Sequence, residues 1–128
     1  MKGGIPGFVR VVAPNEIAWP DYDGNRMYRS LGNIIKNPAV GLLFLKFDAT
    51  STQLRFTGRA RIDENPEAIA NIAGAKRLFR VTAENIFYNC PRYVPKMALV
   101  EQSPYSPKPD YTPPEPEWKS RDYIREVL

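Results

Sequence analysis

The chain has no histidine and a single cysteine, Cys90. The first absence excludes Ser-His-Asp and Cys-His catalysis and the histidine-containing zinc sites. The second excludes an intrachain disulfide and a cysteine-rich cluster, so no metal centre is expected. One cysteine also fits a reducing, cytoplasmic setting. No run is long and apolar enough for a membrane span, and the opening residues MKGGIPG lack a signal-peptide core. No internal repeat breaks the chain into units.

What is present fits one small domain. The 128 residues are 43% hydrophobic, enough to bury a core. The net charge of +4 and a pI near 9.3 are mildly basic, but acidic residues are interspersed with the basic ones. An anionic small ligand accounts for that balance as well as nucleic acid does.

Phe8–Ala13 (FVRVVA) is β-prone, and Pro14-Asn15 is a turn. Glu16–Trp19 reads as a short strand stopped by Pro20, and DYDG (21–24) as a second turn. A helix is expected from about Ser30, with Ser30 or a residue just before it as the cap. Leu31, Ile34 and Ile35 recur at i, i+3, i+4 and share one face. Asn37-Pro38 stops that helix, because a residue before proline resists helical geometry. The apolar run Ala39–Phe47 suits a central, well-buried strand.

Gln53–Ile62 alternates. Leu54, Phe56, Gly58, Ala60 and Ile62 form one face, and Gln53, Arg55, Thr57, Arg59 and Arg61 the other. Asn65-Pro66-Glu67 opens a helix expected to reach about Ala75. Leu78–Tyr88 reads as one or two strands. Residues 103–117 are proline-rich, and residues 118–128 suggest a short closing helix. The fold class is therefore mainly β with peripheral α, a small antiparallel β-barrel. The expected division is a barrel domain at 1–100 and a proline-rich arm at 101–128.

The stretch Gly24–Ile62 concentrates the chemistry. Arg26, Arg29 and Ser30 sit where the first helix begins. A helix start presents free N–H groups and a partial positive charge, a natural seat for phosphate. Guanidinium and hydroxyl donors strengthen such a seat. Surface arginines solvated at a helix end are the simpler alternative, and Ser30 as a plain cap is compatible with either.

This stretch resembles the pyridoxamine 5'-phosphate oxidase-like family, the FMN-binding split barrels. The family pattern is a T-N-x-x-S-R-K turn opening a helix, N-P closing it, an apolar strand, and then R-Q-V-x-V-x-G. Asn25, Arg29, Asn37-Pro38 and the spacing from Gln53 to Gly58 fall into step with it. PGFVRV (6–11), AWPDYDGN (18–25), RSLGN (29–33) and NCPRY (89–93) look like the predicted flavin-nucleotide-binding branch of that family.

The resemblance implies a split barrel, FMN as cofactor and a homodimer with the flavin at its interface. It implies phosphate contacts from Arg29 and from Ser30, which stands where the oxidase has lysine. Asn25 and Arg26 would border the pocket, and Gln53 would approach the flavin ring. Phe8, Val9 and Arg10 would fall near the strand that lines the flavin. A low-specificity oxidoreductase using NAD(P)H follows as the expected activity. A non-catalytic flavin-binding or sensing module is the alternative, and a basic nucleic-acid-binding β-barrel a weaker one.

Two departures stand beside the resemblance. The chain begins almost at the GG-x-PGFVRV segment, where family members usually have further strands first. A truncated chain, or a partner covering the gap, is expected. The arginine–histidine elements that hold pyridoxal phosphate are absent, so true pyridoxamine phosphate oxidase activity is not expected. Cys90, in a Cys-Pro turn, reads as structural rather than redox-active. The alternating Arg55, Arg59 and Arg61 read as a solvated sheet face. The tail, with Tyr105, Tyr111 and Trp118 as anchors, reads as an arm draped over the barrel.

Overall fold

The computed structural model describes residues 2–125. Five strands form one antiparallel sheet: β1 (Arg10–Ala13), β2 (Glu16–Asp21), β3 (Ala39–Lys46), β4 (Thr52–Asp63) and β5 (Arg77–Asn89). Their spatial order is β1-β2-β5-β4-β3. The helices are short and peripheral: α1 (Arg29–Lys36), α2 (Pro66–Ile69) and α3 (Asp122–Arg125), with a 3-10 turn at Glu117–Ser120. The architecture is that of a small, mainly β split barrel, as the alternation in Gln53–Ile62 and the short turns predict.

The alternation of β4 decides which face is buried. Phe56, Gly58 and Ala60 are buried, while Arg55, Arg59 and Arg61 are exposed. Ile17 and Trp19 of β2 and Phe79 and Val81 of β5 complete the core on that face. Phe79 and Val81 have 1% and 0% of their surfaces exposed. Burial on this scale stabilises by about 1.5–3 kcal/mol per large side chain. Leu31 and Ile34 of α1 pack against this cluster, but Ile35 is exposed, so the apolar stripe of α1 is narrower than its spacing suggests.

Gly58 is a point of close approach between β4 and β5. Thr57 pairs with Asn85 but Gly58 with Ala83, so Glu84 is an extra residue on β5 and the ladder carries a bulge. A Cβ at position 58 would stand 2.0 Å from the Thr82 carbonyl oxygen. Only glycine permits that approach.

Several local expectations change in the tertiary structure. Pro20 does not stop β2, which runs on to Asp21. The β1 pairing ends at Ala18, so beyond it one edge of β2 has no strand partner and a missing N–H is tolerated. The apolar strand Ala39–Lys46 is an edge strand, not a central one, and Leu43 and Leu45 are substantially exposed. Apolar composition alone does not tell which side of a strand is covered. The helix opened by Asn65 ends at Ile69, and residues 70–74 continue as turns. Its start is as expected, with the Asn65 side chain accepting from the Glu67 N–H and Pro66 in the first turn. Leu78–Tyr88 lies within a single thirteen-residue strand. The closing helix is one short turn, and residues 126–128 of the expected segment lie outside the described residues.

The C-terminal arm runs back over the body. Pro107 packs against Gly74, whose left-handed backbone (φ 72°) and missing Cβ make room for it. The Tyr111 hydroxyl donates to the Pro104 carbonyl at 2.9 Å, and the Lys119 ammonium pairs with Asp23.

Candidate functional site

The loop between β2 and α1 is held in an unusual conformation. Arg26 and Tyr28 both have left-handed backbones, at φ 54° and 49°. Non-glycine residues held this way cost of order 1 kcal/mol each and cluster at functional sites. The Asn25 side chain accepts from the Met27 N–H at 3.1 Å and fixes the turn between them.

Tyr28, not Ser30, is the N-cap of α1, and it makes no side-chain capping bond. Ser30 lies inside the first turn instead. That turn also lacks an acidic residue. The positive end of α1 therefore keeps donor N–H groups that no side chain has taken, and no carboxylate in that turn offsets its partial charge. The Tyr28 ring is held from below by the Arg77 guanidinium, 5.7 Å from its centroid.

Asn25, Arg26, Arg29 and Ser30 all line one cavity of about 310 Å³ at this helix start. Lys2, Asp21 and Phe79 form its inner wall. A compartment of about 290 Å³ shares Lys2, Ser30 and Phe79 with it, and a third of about 470 Å³ shares Trp19, Gly41 and Leu42 with the second. The nearer one runs beneath Ser30 and Ile34 to Trp19 and Val40. The farther one lies between Phe8–Val9 and Gly41–Phe44. Together they make a groove with a cationic mouth and an aromatic, apolar floor.

Sequence reasoning placed Arg26, Arg29 and Ser30 together because they are neighbours in the chain. It missed Lys2, Trp19 and Phe79, which reach the groove from distant segments. The Lys2 ammonium binds Asp21 at 3.2 Å and stands 5.2 Å from the centre of the Phe79 ring. Trp19 stacks on Phe79 with ring centroids 5.7 Å apart. The Trp19 indole N–H is buried without an acceptor among the described residues. Such a donor costs about 1–3 kcal/mol when unpaired. Phe8 and Val9 do line the groove, whereas Arg10 is exposed on β1.

Gln53 is not brought to this cavity. It begins β4, opposite Leu45 and Asn89. The end of α1 meets β4 at Ala60, whose N–H donates to the Pro38 carbonyl. Gln53 lies seven residues farther along that strand, about 23 Å from Ala60.

The electrostatics of the loop are set by Asp23. Its carboxylate receives Lys119 and Lys76, the latter at 2.7 Å. These hydrogen bonds hold its pKa down to about 2. Burial pushes the Tyr22 hydroxyl above its ordinary value, with Arg10 opposing weakly. On the opposite sheet face Arg80 bridges Glu16 and Asp63 at 2.9 and 2.7 Å, and Arg61 joins Glu16 at 3.2 Å. Burial would raise Glu16, but the bonds and charges of Arg80 and Arg61 outweigh it and lower its pKa. Arg61 is thus engaged in a surface network.

An acid-free helix start flanked by Arg26 and Arg29 thus lies beside an aromatic cavity wall in a small split antiparallel barrel. Residues 2–101 match the pyridoxamine 5'-phosphate oxidase family, and the chain belongs to that family. Its fold is similar to that of HupZ from Group A Streptococcus, with a TM-score of 0.51 and 19% identity. That likeness covers 64% of this chain and 73% of HupZ. No curated protein matches the sequence. Among the described residues, no helix is long and apolar enough to cross a membrane.

Proposed function

We propose that this chain is an FMN-binding flavoprotein that works as a homodimer and as a low-specificity oxidoreductase, with NAD(P)H as electron donor. One observation carries the reading. The uncapped, acid-free start of α1, with Arg26, Arg29 and Ser30 around it, opens directly onto an aromatic groove. Phosphate suits the first part, and a flat, largely apolar ring suits the second.

In this reading Arg29 and Ser30 hold the phosphate together with the first N–H groups of α1. Arg26 adds charge at the mouth, and Asn25 keeps the loop folded around it. Phe8, Val9, Leu42 and Phe44 exclude water from the ring. Bound flavin supplies hydride and electron transfer. Gln53 does not line this cavity, so in this reading its contact with the ring would come from a second copy.

The far half of the sheet supports such pairing. Leu43, Ile86, Phe87 and Tyr88 are exposed there, forming apolar surface of the kind found at interfaces. The cytoplasm is the proposed location, on the strength of the lone unpaired cysteine.

A non-catalytic flavin carrier or sensor is the second reading. Among the described residues, the groove's one carboxylate is Asp21, already paired with Lys2 and facing Arg77 at 3.8 Å. Purified protein should carry flavin absorbance or quench the fluorescence of added FMN. Absence of both sinks the flavin reading. Anaerobic bleaching by NADPH with recovery in air supports the oxidoreductase, and flavin binding without bleaching supports the carrier.

A further inference from the structure

The loop that forms the anion seat has little to hold it in place. Its internal bonds amount to the Asn25–Met27 turn, and two of its residues adopt left-handed backbones. Its anchorage comes from outside, from the Arg77 guanidinium against the Tyr28 ring and from Asp23, one residue before the cavity-lining Gly24. Lys76, just before β5, takes one carboxylate oxygen of Asp23, and Lys119, in the C-terminal arm, takes the other. The arm itself is seated next to the same loop. Pro107 packs on Gly74, and Tyr22 shares a cavity with Tyr105 and Pro107 on the arm side while also lining the anion seat.

We infer that the C-terminal arm is a strap that positions the anion seat, with Lys119 clamping Asp23 so that the loop carrying Asn25 and Arg26 keeps its binding shape. Lys119 and Asp23 are positioning residues, because neither reaches the seat itself. The inference rests on the proposed phosphate-binding role of that seat, and it gives the proline-rich arm a job in ligand selectivity. Releasing the clamp frees a strained loop to relax. The loss falls on the phosphate end of a ligand, since the aromatic floor of the groove lies on β2, β3 and β5.

The test compares the full chain with Lys119→Ala and Lys119→Arg. Amide hydrogen exchange is read in residues 22–28 and, as an internal control, in the β5 core around Phe79 and Val81. Lys119→Ala should speed exchange in the loop about threefold to fivefold, as expected for one partly exposed ion pair. The β5 amides should not change, and Lys119→Arg should restore the loop. FMN affinity should weaken in Lys119→Ala by a similar factor while riboflavin affinity holds. Unchanged loop exchange overturns the strap, and so does equal acceleration in loop and core. If the native chain ignores FMN, the flavin reading fails, and loop exchange still decides the strap.

Discussion

Replacing Gly58 with alanine tests the central geometric claim about the sheet. The new Cβ would stand 2.0 Å from the Thr82 oxygen and 3.0 Å from the Thr82 carbonyl carbon. Both atoms are backbone, so no side chain can swing away. Relief to ordinary contact requires β4 and β5 to separate by more than about 1 Å, where overpacking of this kind costs about 3 kcal/mol. These strands are joined along eleven residue pairs from Gln53–Asn89 to Asp63–Leu78, so the shift is resisted on both sides of the bulge. For a chain of this size each kcal/mol moves the melting temperature by about 3–5 °C, giving a drop of about 10 °C. The assay is thermal unfolding followed by circular dichroism. The control is Gly41→Ala on edge strand β3, where a Cβ meets nothing within 4 Å. That change should stay within about 0.5 kcal/mol of the parent. A Gly58→Ala chain that melts within about 3–5 °C (roughly 1 kcal/mol) of the parent would refute the close approach at the bulge.

Arg29→Ala should weaken FMN at least about tenfold and leave riboflavin nearly unchanged, since one charge-assisted bond to phosphate is worth about 1.5–3 kcal/mol. Equal losses for both ligands, read by fluorescence titration, would remove Arg29 from the phosphate site. Asp23 has its folded pKa lowered from 3.8 to about 2, so its contribution is present above the unfolded value and is lost as pH falls through the folded one. Because its side chain is 43% exposed, screening limits that contribution to about 1 kcal/mol or less. Asp23→Asn should therefore lower urea stability at pH 7 by that amount, and the difference from the parent should shrink between pH 4 and pH 2. A gap that persists unchanged to pH 2 would contradict the ion-pair account. Asn65→Ala should cost about 1 kcal/mol in the same measurement through loss of the cap on α2, with flavin affinity unaffected.

Much of this protein was legible locally. The Gln53–Ile62 alternation identified the buried face of β4, because side chains on a strand alternate by geometry alone. Asn37-Pro38 marked the end of α1, where Asn37 is indeed extended at the C-cap. Arg26, Arg29 and Ser30 were readable as one cluster because a single loop and helix turn carry them. The errors were those of context. Pro20 reads as a breaker until the open edge of β2 is known. Ala39–Lys46 reads as central until its outer neighbour proves missing from the sheet. Ser30 or a residue just before it reads as the cap, and only the structure places Tyr28 there, with its backbone turned left-handed.

By itself, the sequence determined the chemistry available and the elements that carry it: strand alternation, helix stops, a cationic helix start, and no histidine or disulfide chemistry. Those properties depend on neighbours within a few residues, where steric and hydrogen-bonding rules act without reference to the fold. Only the tertiary structure decided that Lys2, Trp19 and Phe79 floor the groove, that Gln53 stands apart from it, and that Lys119 reaches back to Asp23. Each of those depends on packing between segments tens of residues apart, whose meeting is fixed by the order and twist of the sheet.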